Sequence, residues 1–264
     1  MTRAAPISIG IAGALGRMGQ VTAGLVQSRD DMRLAALIGQ PANAGQASNG
    51  LELARVEDAL PRCQVIIDFS TAQASAELSR LAAGRGGPAL VIGSTGFSPS
   101  DERAVHSASE RIAIVKSGNF SLGVNLLLGL VERASRALDA ADYDIEVFEA
   151  HHRRKLDAPS GTALMLGAAA ARGRGIDLGS HAERGRDGMA GPRGEGAIGF
   201  SVMRGGGIVG EHSVVLAAED EIITLSHSAR DRSLFARGAL AAARWVAGRP
   251  AGLYDMQDVL GLRV

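Results

Sequence analysis

The sequence predicts an α/β protein with a doubly wound parallel sheet in its first domain and a smaller α+β domain with a mixed sheet. Short, β-branched apolar segments alternate with amphipathic helical segments up to about residue 120, which is the pattern of βαβ units. Strand-like segments then follow one another directly between residues 197 and 228, which is typical of mixed or antiparallel pairing.

Five short apolar segments of the first domain are predicted to be strands, because each is rich in β-branched residues and bounded by turn signals. They are Ile7–Gly13, Leu34–Ile38, Val65–Phe69, Ala89–Ile92 and Ile112–Val115. Residues 16–28 are predicted to form a helix, and Thr71 and Ser98–Pro99 to open two more. Residues 41–50, rich in Ala, Asn, Gly and Gln, are predicted to be a loop.

The second half begins with a long apolar helix, predicted from Leu122 to Leu138. A strand from Asp144 to Ala150 and a helix over residues 160–171 follow. Residues 173–196 are rich in Gly and Arg and have no apolar period, which predicts a mobile loop. Three further strands and a last helix are expected at Ala197–Met203, Ile208–Leu216, Glu221–Ser228 and 232–247.

Composition excludes several classes of protein. The 264 residues contain 28 Lys and Arg and 28 Asp and Glu, so no basic excess points to nucleic acid or to a membrane surface as a partner. The single cysteine, Cys63, excludes an internal disulfide framework and a cysteine-cluster metal site. No apolar run approaches the roughly 18 residues of a membrane span, and the N-terminus lacks the apolar stretch of a signal peptide. We therefore expect a cytoplasmic protein.

A glycine-rich turn lies between the first strand and the first helix. Glycines stand at positions 10, 13, 16 and 19, where a Rossmann-like domain binds the pyrophosphate of a dinucleotide. Missing side chains allow the backbone to approach a phosphate, and the helix start supplies N–H donors, with Arg17 as a further contact. The spacing is Gly13-x-x-Gly16-x-x-Gly19 rather than the strict fingerprint, so a tight turn without a ligand is the alternative interpretation.

The end of the second strand leaves the cofactor choice open. An NAD site often has an acidic residue there to bind the ribose hydroxyls, but this chain has Ile38-Gly39-Gln40-Pro41. A second basic residue for the 2′-phosphate of NADPH is also missing there. Gly93–Phe97 and Gly118–Ser121 follow the fourth and fifth strands, where small residues leave room for a nicotinamide or simply form turns.

Residues 149–163 contain the densest group of chemically active side chains. His151, His152 and Lys155 lie in a predicted loop between a strand and a helix that starts near Ser160. The helix start and Lys155 suit a carboxylate, and imidazole can act as a general acid at neutral pH. The alternatives are a solvated basic loop and a zinc site. Zinc is disfavoured because neighbouring histidines on an extended segment point apart and no third ligand is evident, so we expect no metal.

The chain resembles the 4-hydroxy-tetrahydrodipicolinate reductase family, also called the dihydrodipicolinate reductase family. The resemblance is carried by these segments: GALGRMG (13–19), DFS (68–70), GSTGF (93–97), GNFSLGVN (118–125), EAHHRRKLDAPSGTAL (149–164), IGFSVMRGGGIVGEHSV (198–214) and GLYDMQDVL (252–260). It implies an NAD(P)H-dependent reduction of 4-hydroxy-tetrahydrodipicolinate to tetrahydrodipicolinate with loss of water, in diaminopimelate and lysine biosynthesis. It also implies a homotetramer assembled through the sheet of the second domain.

The resemblance assigns regions and roles within the chain. Residues 1–122 and 232–264 would form the dinucleotide-binding domain, and residues 123–231 the substrate-binding and oligomerisation domain, with closure of one on the other about hinges near 120–125 and 228–233. His151 would be the acid/base and Lys155 the proton donor. The other substrate-binding residues would be His152, Ser160, Gly161 and Thr162. The residues lining NADH or NADPH would be Gly13, Ala14, Leu15, Gly16, Arg17, Met18, Phe69, Gly93, Ser94, Thr95, Ser117, Gly118, Asn119 and Phe120. Ser94 stands where the family more often has Thr, and the hydroxyl is kept.

Three further residues are expected to be structural. Cys63 is interpreted as a half-buried thiol, which disfavours a thiol-dependent semialdehyde dehydrogenase. His212 and His227 are interpreted as packed histidines of the second domain rather than catalytic groups. Two rival functions remain open: an amino-acid dehydrogenase acting on another imine, and a dinucleotide sensor without catalysis.

Overall fold

The computed structural model describes residues 5–262, which divide into two compact units. The first contains the described residues up to Leu122 and from Ser233 onward, and the second contains Gly123–Arg232. Residues 1–4, at the N-terminus where no signal peptide is expected, and residues 263–264 lie outside the described residues. Within residues 5–262, no helix has the length and apolarity that a membrane span requires.

Thirteen strands and nine α-helices are present in the described part of the chain. The strands are β1 (Ile7–Ala12), β2 (Met32–Ile38), β3 (Ala47–Ser48), β4 (Leu51–Ala54), β5 (Val65–Asp68), β6 (Ala89–Ile92), β7 (Ala113–Lys116), β8 (Asp144–His151), β9 (Ala182–Glu183), β10 (Ile198–Arg204), β11 (Gly210–Ala217), β12 (Ile222–Ala229) and β13 (Gly252–Tyr254). The helices are α1 (Arg17–Gln27), α2 (Val56–Ala59), α3 (Ala72–Gly84), α4 (Pro99–Ser109), α5 (Leu122–Ala137), α6 (Gly161–Arg174), α7 (Leu178–His181), α8 (Ser233–Val246) and α9 (Met256–Val259).

The sheet of the first unit is doubly wound, which confirms the predicted fold class. Its order is β13-β7-β6-β5-β1-β2-β4-β3, and every neighbouring pair is parallel except β3 with β4. The chain runs outward from β1 in both directions, so the strand order reverses between β1 and β5. A crevice at the carboxyl ends of these two strands is where doubly wound sheets bind ligands.

Both faces of this sheet are covered by apolar helices. Buried residues of α1 and α8 pack on one face with Ile9, Ile11 and Ile67, while α3 and α4 pack on the other with Ile66 and Ile92. Strands buried on both faces need continuous apolar sequence, which explains the uninterrupted runs from which they were predicted. Thr71 accepts a hydrogen bond from the Ala74 N–H, so the predicted cap of α3 is confirmed.

The prediction of a loop over residues 41–50 was wrong in part. This segment contains a 3₁₀ turn at Pro41–Asn43 and strand β3, which pairs with β4 in a short hairpin at the edge of the sheet. Strand β4 was not predicted at all. Elements of two to four residues show no hydrophobic period, so edge pairing rather than local sequence determines them.

The second unit contains a five-stranded mixed sheet, as predicted. Its order is β12-β11-β8-β10-β9, with β8 parallel to β10 and antiparallel to β11. Helices α5 and α6 cover one face of this sheet and form its core with inward residues of β8, β10 and β11. Strand β8 therefore lies between two strands that come much later in the chain.

The prediction of a mobile loop over residues 173–196 also needs correction. Helix α6 extends to Arg174 and ends at Gly175, whose φ of +67° is the left-handed conformation common at a helix end. Asp177 caps α7 by accepting a hydrogen bond from the Ser180 N–H, and β9 pairs with β10. Caps and a two-residue pairing order residues 173–183 without an apolar period, whereas residues 184–196 form no helix or strand, as predicted.

Two helical glycines provide a matched test of packing in the first unit. A Cβ on Gly238 of α8 would lie 1.6 Å from the Phe120 carbonyl oxygen, whereas a Cβ on Gly24 of α1 would meet nothing within 4 Å. We expect Gly238→Ala to lower the free energy of unfolding by about 2–3 kcal/mol through overpacking. We expect Gly24→Ala to raise it by about 0.5–1 kcal/mol through helix propensity. Urea denaturation followed by circular dichroism measures both, and equal effects would contradict the close contact at Gly238.

Candidate active site

The glycine turn after β1 is required by close backbone contacts at the point where the strand order reverses. Gly13 has a φ of +72°, and a Cβ there would lie 2.7 Å from the Phe69 carbonyl oxygen at the end of β5. A Cβ on Gly19 would lie 2.3 Å from the Gly13 carbonyl oxygen. Larger residues at these two positions would separate α1 from the ends of β1 and β5.

The start of α1 faces two cavities in the first unit. Gly16 is its N-cap, no side chain caps the helix, and its first turn contains no acidic residue, so N–H donors and the positive helix end suit an anion. A cavity of about 810 Å³ is lined by Gly13–Gly16, Ile38–Gln40 and Arg55, among others. A second, of about 770 Å³, is lined by Gly16–Met18, Gly93–Gly96 and others, and Phe69 lines both. The residues therefore fit an extended dinucleotide.

The predicted cofactor residues at 117–120 do not line either cavity. They form a turn in which the Ser117 hydroxyl donates to the Asn119 carbonyl oxygen at 2.7 Å. The Phe120 ring packs edge-on against Phe69 with 6.1 Å between centroids, and a Cβ on Gly93 would lie 2.3 Å from the Phe69 ring. The turn thus contacts the lining residue Phe69 through Phe120.

Buried hydrogen bonds that were not predicted connect the Gly93–Thr95 segment with α3. The Ser75 and Ser94 hydroxyls share a hydrogen bond of 2.5 Å, and both residues are buried. Asp68, which is completely buried, accepts a hydrogen bond from the Ser70 N–H at 2.8 Å. Burial raises the pKa of Asp68. The hydrogen bonds from Ser70 and Ser75 lower this pKa, but by less than burial raises it.

In the second unit, the predicted catalytic segment surrounds one completely buried carboxylate, that of Glu149. One carboxylate oxygen accepts from the His151 Nδ1–H at 2.6 Å, and the other accepts from the Ser160 N–H at 2.8 Å. Arg204 donates from both terminal nitrogens, one to each oxygen, at 2.7 Å. Burial would raise the pKa of Glu149, but the hydrogen bonds from Arg204, His151 and Ser160 outweigh it and lower the pKa.

His151 is positioned by contacts with Glu149 and His212. Its Nδ1 is engaged by Glu149, and its ring meets the His212 ring edge-on with 5.1 Å between centroids. Gly210 stands beside its Nε2, where a Cβ would come within 3.1 Å. His152 lies next to it, with its Nε2 3.4 Å from Arg232, and its pKa is lowered by burial and by the nearby Arg154 and Arg232.

The start of α6 lies beside these histidines. Ser160 is the N-cap, and its hydroxyl accepts from the Ala163 N–H and lies 3.2 Å from the His212 Nε2. Gly161 is exposed and has open space where a Cβ would be, so a ligand group can approach the backbone there. The Lys155 ammonium is paired with Asp157 at 2.9 Å, and Arg204 donates to the Asp157 carbonyl oxygen at 2.7 Å.

Three residues of this site were not assigned to it from the sequence. Glu149 precedes His151 by two residues on β8, and this spacing on a strand is a signal, since such residues share a face. Arg204 and His212 come from β10 and β11, and no local pattern connects them with β8. His212 is buried as expected for a packed histidine, but it packs against His151 and the N-cap of α6.

No metal centre is formed by the described residues. Over residues 5–262, no group of three or more His, Cys, Asp and Glu side chains has the arrangement to hold a metal ion. Cys63 is buried, and burial raises the pKa of its thiol to about 11. The positive charges of Arg62 and Arg33 lower this pKa, but by less than burial raises it. This thiol is therefore poorly suited to act as a nucleophile.

Two family models match the chain. The model described as dihydrodipicolinate reductase, N-terminus, matches residues 7–120, and the one described as dihydrodipicolinate reductase, C-terminus, matches residues 123–260. The 4-hydroxy-tetrahydrodipicolinate reductase of Caulobacter vibrioides is 59% identical over 258 residues, covering 98% of each chain. The enzyme of the same name from Rhizobium rhizogenes is 50% identical over 263 residues, covering 96% of each chain.

Solved structures show the same fold. A dipicolinate-bound dihydrodipicolinate reductase from Paenisporosarcina sp. TG-14 superposes with a TM-score of 0.78 and 24% identity, covering 96% of this chain and 98% of that chain. An amine dehydrogenase from Mycobacterium smegmatis superposes with a TM-score of 0.65 and 12% identity, covering 96% of each chain. At these identities the similarity concerns the fold alone.

The buried His212 gives a testable pH dependence of stability. Burial lowers its pKa from 6.5 to about 4, with the charge of His151 as a further cause. Between these values the unfolded chain binds a proton that the folded chain excludes, so the stability present above pH 6.5 is lost as the pH falls towards 4. We expect His212→Gln to lose less stability than the parent chain between pH 7 and 4, by on the order of 2–3 kcal/mol. Urea denaturation at each pH measures this. His106→Gln, at an exposed position on α4, is the control, and parallel curves for the parent chain and His212→Gln would contradict the prediction.

Proposed function

The chain belongs to the dihydrodipicolinate reductase family, and we propose that its second unit binds and protonates the substrate while its first unit binds NADH or NADPH. The family's activity is the NAD(P)H-dependent reduction of 4-hydroxy-tetrahydrodipicolinate, a small dicarboxylate, in diaminopimelate and lysine biosynthesis. The observation that carries the proposal is the buried Glu149–His151 pair beside the open start of α6 and Lys155.

The second unit offers several positive groups for the carboxylates of this substrate. The N–H groups at the start of α6, at Gly161 and Thr162, and the positive end of the helix dipole suit one carboxylate. Lys155 adds a full charge, with Asp157 holding its ammonium before the substrate arrives. His152 and its neighbour Arg232 supply further donors. Ser160 is buried and caps the helix, so its part is to hold the helix start.

The reaction consumes one proton as well as one hydride. The reduced nicotinamide, when bound, supplies the hydride, and the products are tetrahydrodipicolinate, the oxidised cofactor and water. His151, with Nδ1–H donated to Glu149, presents Nε2 as the atom that handles the proton. Lys155 is the second proton donor, placed in the loop that leads to the start of α6.

The first unit fits either nicotinamide cofactor at its adenosine end. No acidic residue follows β2, and the cavity there is lined by Gln40 and Arg55. Gln40 can bind ribose hydroxyls, and Arg55, at the start of α2, can bind a 2′-phosphate. Arg55 was overlooked in the sequence because β4 brings it to the end of β2.

A homotetramer in the cytoplasm is the arrangement that we propose for the assembled enzyme. The sheet of the second unit is covered by helices on one face, and its other face carries Phe148 and Met203, both more than a third exposed. An uncovered sheet face with apolar side chains supports self-association.

Two substitutions test the assignment of the catalytic residues. We expect His151→Ala and Lys155→Ala each to lower kcat by about 10²–10⁴-fold, because each removes a proton donor, while the affinity for NADH and NADPH changes less than twofold. The assay follows loss of reduced-nicotinamide absorbance with the substrate made in situ by a synthase from pyruvate and aspartate semialdehyde. His181→Ala, in the same unit but on α7, is the matched control. Normal turnover in both variants would refute the assignment, and no turnover by the folded parent chain would favour another imine substrate or a sensor.

The same assay tests the adenosine end of the cofactor cavity. We expect Arg55→Ala to raise KM for NADPH by about 10-fold or more, because a charged hydrogen bond to the 2′-phosphate is lost, and to leave KM for NADH within twofold. Arg103→Ala, an exposed arginine on α4 away from the lining residues, should change neither. Equal effects of Arg55→Ala on the two cofactors would contradict the role of Arg55.

A further inference from the structure

We infer that Glu149 is a positioning residue for the reaction: it fixes the tautomer of His151 and anchors the helix start that faces the substrate. The inference rests on the proposed function, since it assigns the geometry of the proton donor in that same site. It is based on one carboxylate that is completely buried and contacts the ends of two strands and the start of a helix.

The hydrogen bonds of this carboxylate leave one possible tautomer for neutral His151. Oε1 accepts from the Ser160 N–H at 2.8 Å and from an Arg204 nitrogen at 2.7 Å. Oε2 accepts from the other Arg204 nitrogen at 2.7 Å and lies 2.6 Å from the His151 Nδ1. An ionised carboxylate only accepts hydrogen bonds, so Nδ1 must be the donor. In neutral His151 the proton therefore sits on Nδ1, and Nε2 is the atom that gains and releases a proton.

Glu149 also places its negative charge in direct contact with the imidazole of His151. The charged and titratable groups near this imidazole are Glu149 on its own strand, the adjacent His152, and His212 on β11, and Arg204 on β10 pairs with the Glu149 carboxylate. Burial keeps His212 neutral at neutral pH, and Asp157 pairs with Lys155. Glu149 is thus the one negative charge among the described residues in direct contact with the imidazole.

The same carboxylate connects the proton donor with the anion-binding groups. It accepts a hydrogen bond from the N–H of Ser160, the N-cap of α6. Its partner Arg204 also donates to the Asp157 carbonyl oxygen, in the loop that carries Lys155. Strand β8, strand β10, this loop and α6 therefore share one buried acceptor. A displacement of the carboxylate would move His151 and the start of α6 at the same time.

A glutamine at this position distinguishes positioning from a purely structural ion pair. Gln has the same shape but one amide nitrogen in place of an oxygen, and that nitrogen must face Arg204 together with either His151 or Ser160. If it faces His151, the imidazole must accept at Nδ1 and carry its proton on Nε2, which is the other tautomer. Glu149→Gln therefore changes the state of His151 as well as the stability of the site.

The test measures the tautomer directly, with no substrate present. Histidine side chains are labelled with ¹⁵N, and the signals of His151 are identified by their loss in His151→Ala. We expect the Nδ1–H tautomer in the parent chain once His151 is neutral, and a mixture or the Nε2–H tautomer in Glu149→Gln. We expect kcat of this variant to fall by roughly 10²–10³-fold, with unchanged affinity for NADPH.

Two further variants complete the design. Glu149→Asp keeps the charge on a shorter side chain and should restore the Nδ1–H tautomer and part of kcat. Glu132→Gln is the matched control, because the Glu132 carboxylate also accepts from two arginines, Arg136 and Arg172, but lies outside the site. It should leave kcat and the tautomer of His151 unchanged.

Several results would overturn the inference. An Nε2–H tautomer of His151 in the parent chain would contradict the inference without any variant. The inference can therefore be tested even if the Glu149→Gln chain fails to fold. Loss of kcat in Glu149→Gln with an unchanged tautomer of His151 would reduce Glu149 to a structural ion pair. If the folded parent chain shows the Nδ1–H tautomer but no turnover, the proposed function fails while the geometry of His151 stands.

Discussion

The second unit depends on the buried ion pair between Glu149 and Arg204. A carboxylate removed from water is costly unless its acceptor sites are filled, and here a bidentate arginine, an imidazole and a backbone N–H fill them. These donors come from separate parts of the chain, so they all must be in place for the carboxylate to remain buried. The requirement that stabilises this corner of the fold thereby also sets the geometry of His151, the proposed acid/base.

The first unit depends on a different constraint, which is steric. The carbonyl oxygen of Phe69 approaches Gly13, and the backbone of Gly13 approaches Gly19 on α1, so closely that no side chain fits at either glycine. This contact leaves the start of α1 open beside two cavities at the point where the strand order reverses. A buried polar network thus shapes the proposed dicarboxylate site of the second unit. Glycines without side chains shape the proposed dinucleotide site of the first unit.

Most of the fold could be predicted because its long elements carry strong periodic signals. Strands such as Val65–Asp68 are apolar on both faces, and helices such as α3 are marked by caps as well as by their apolar faces. The elements that were missed are two to four residues long, and pairing or a single cap determines most of them: β3, β4, α2, α7, β9, β13 and α9. Within the proposed site, His151, His152 and Lys155 could be predicted as candidates because they cluster in the sequence.

The sequence by itself determined which chemical groups are available and in what local order: a glycine turn after the first strand, and two histidines and a lysine before a capped helix. Only the tertiary structure decided what surrounds them. Glu149 and Arg204 are 55 residues apart, and Ser160 and His212 are 52 residues apart, yet each pair is in hydrogen-bonding contact. The reason is the strand order: β8 lies between β10 and β11, and that order depends on the packing of the whole sheet rather than on any local pattern.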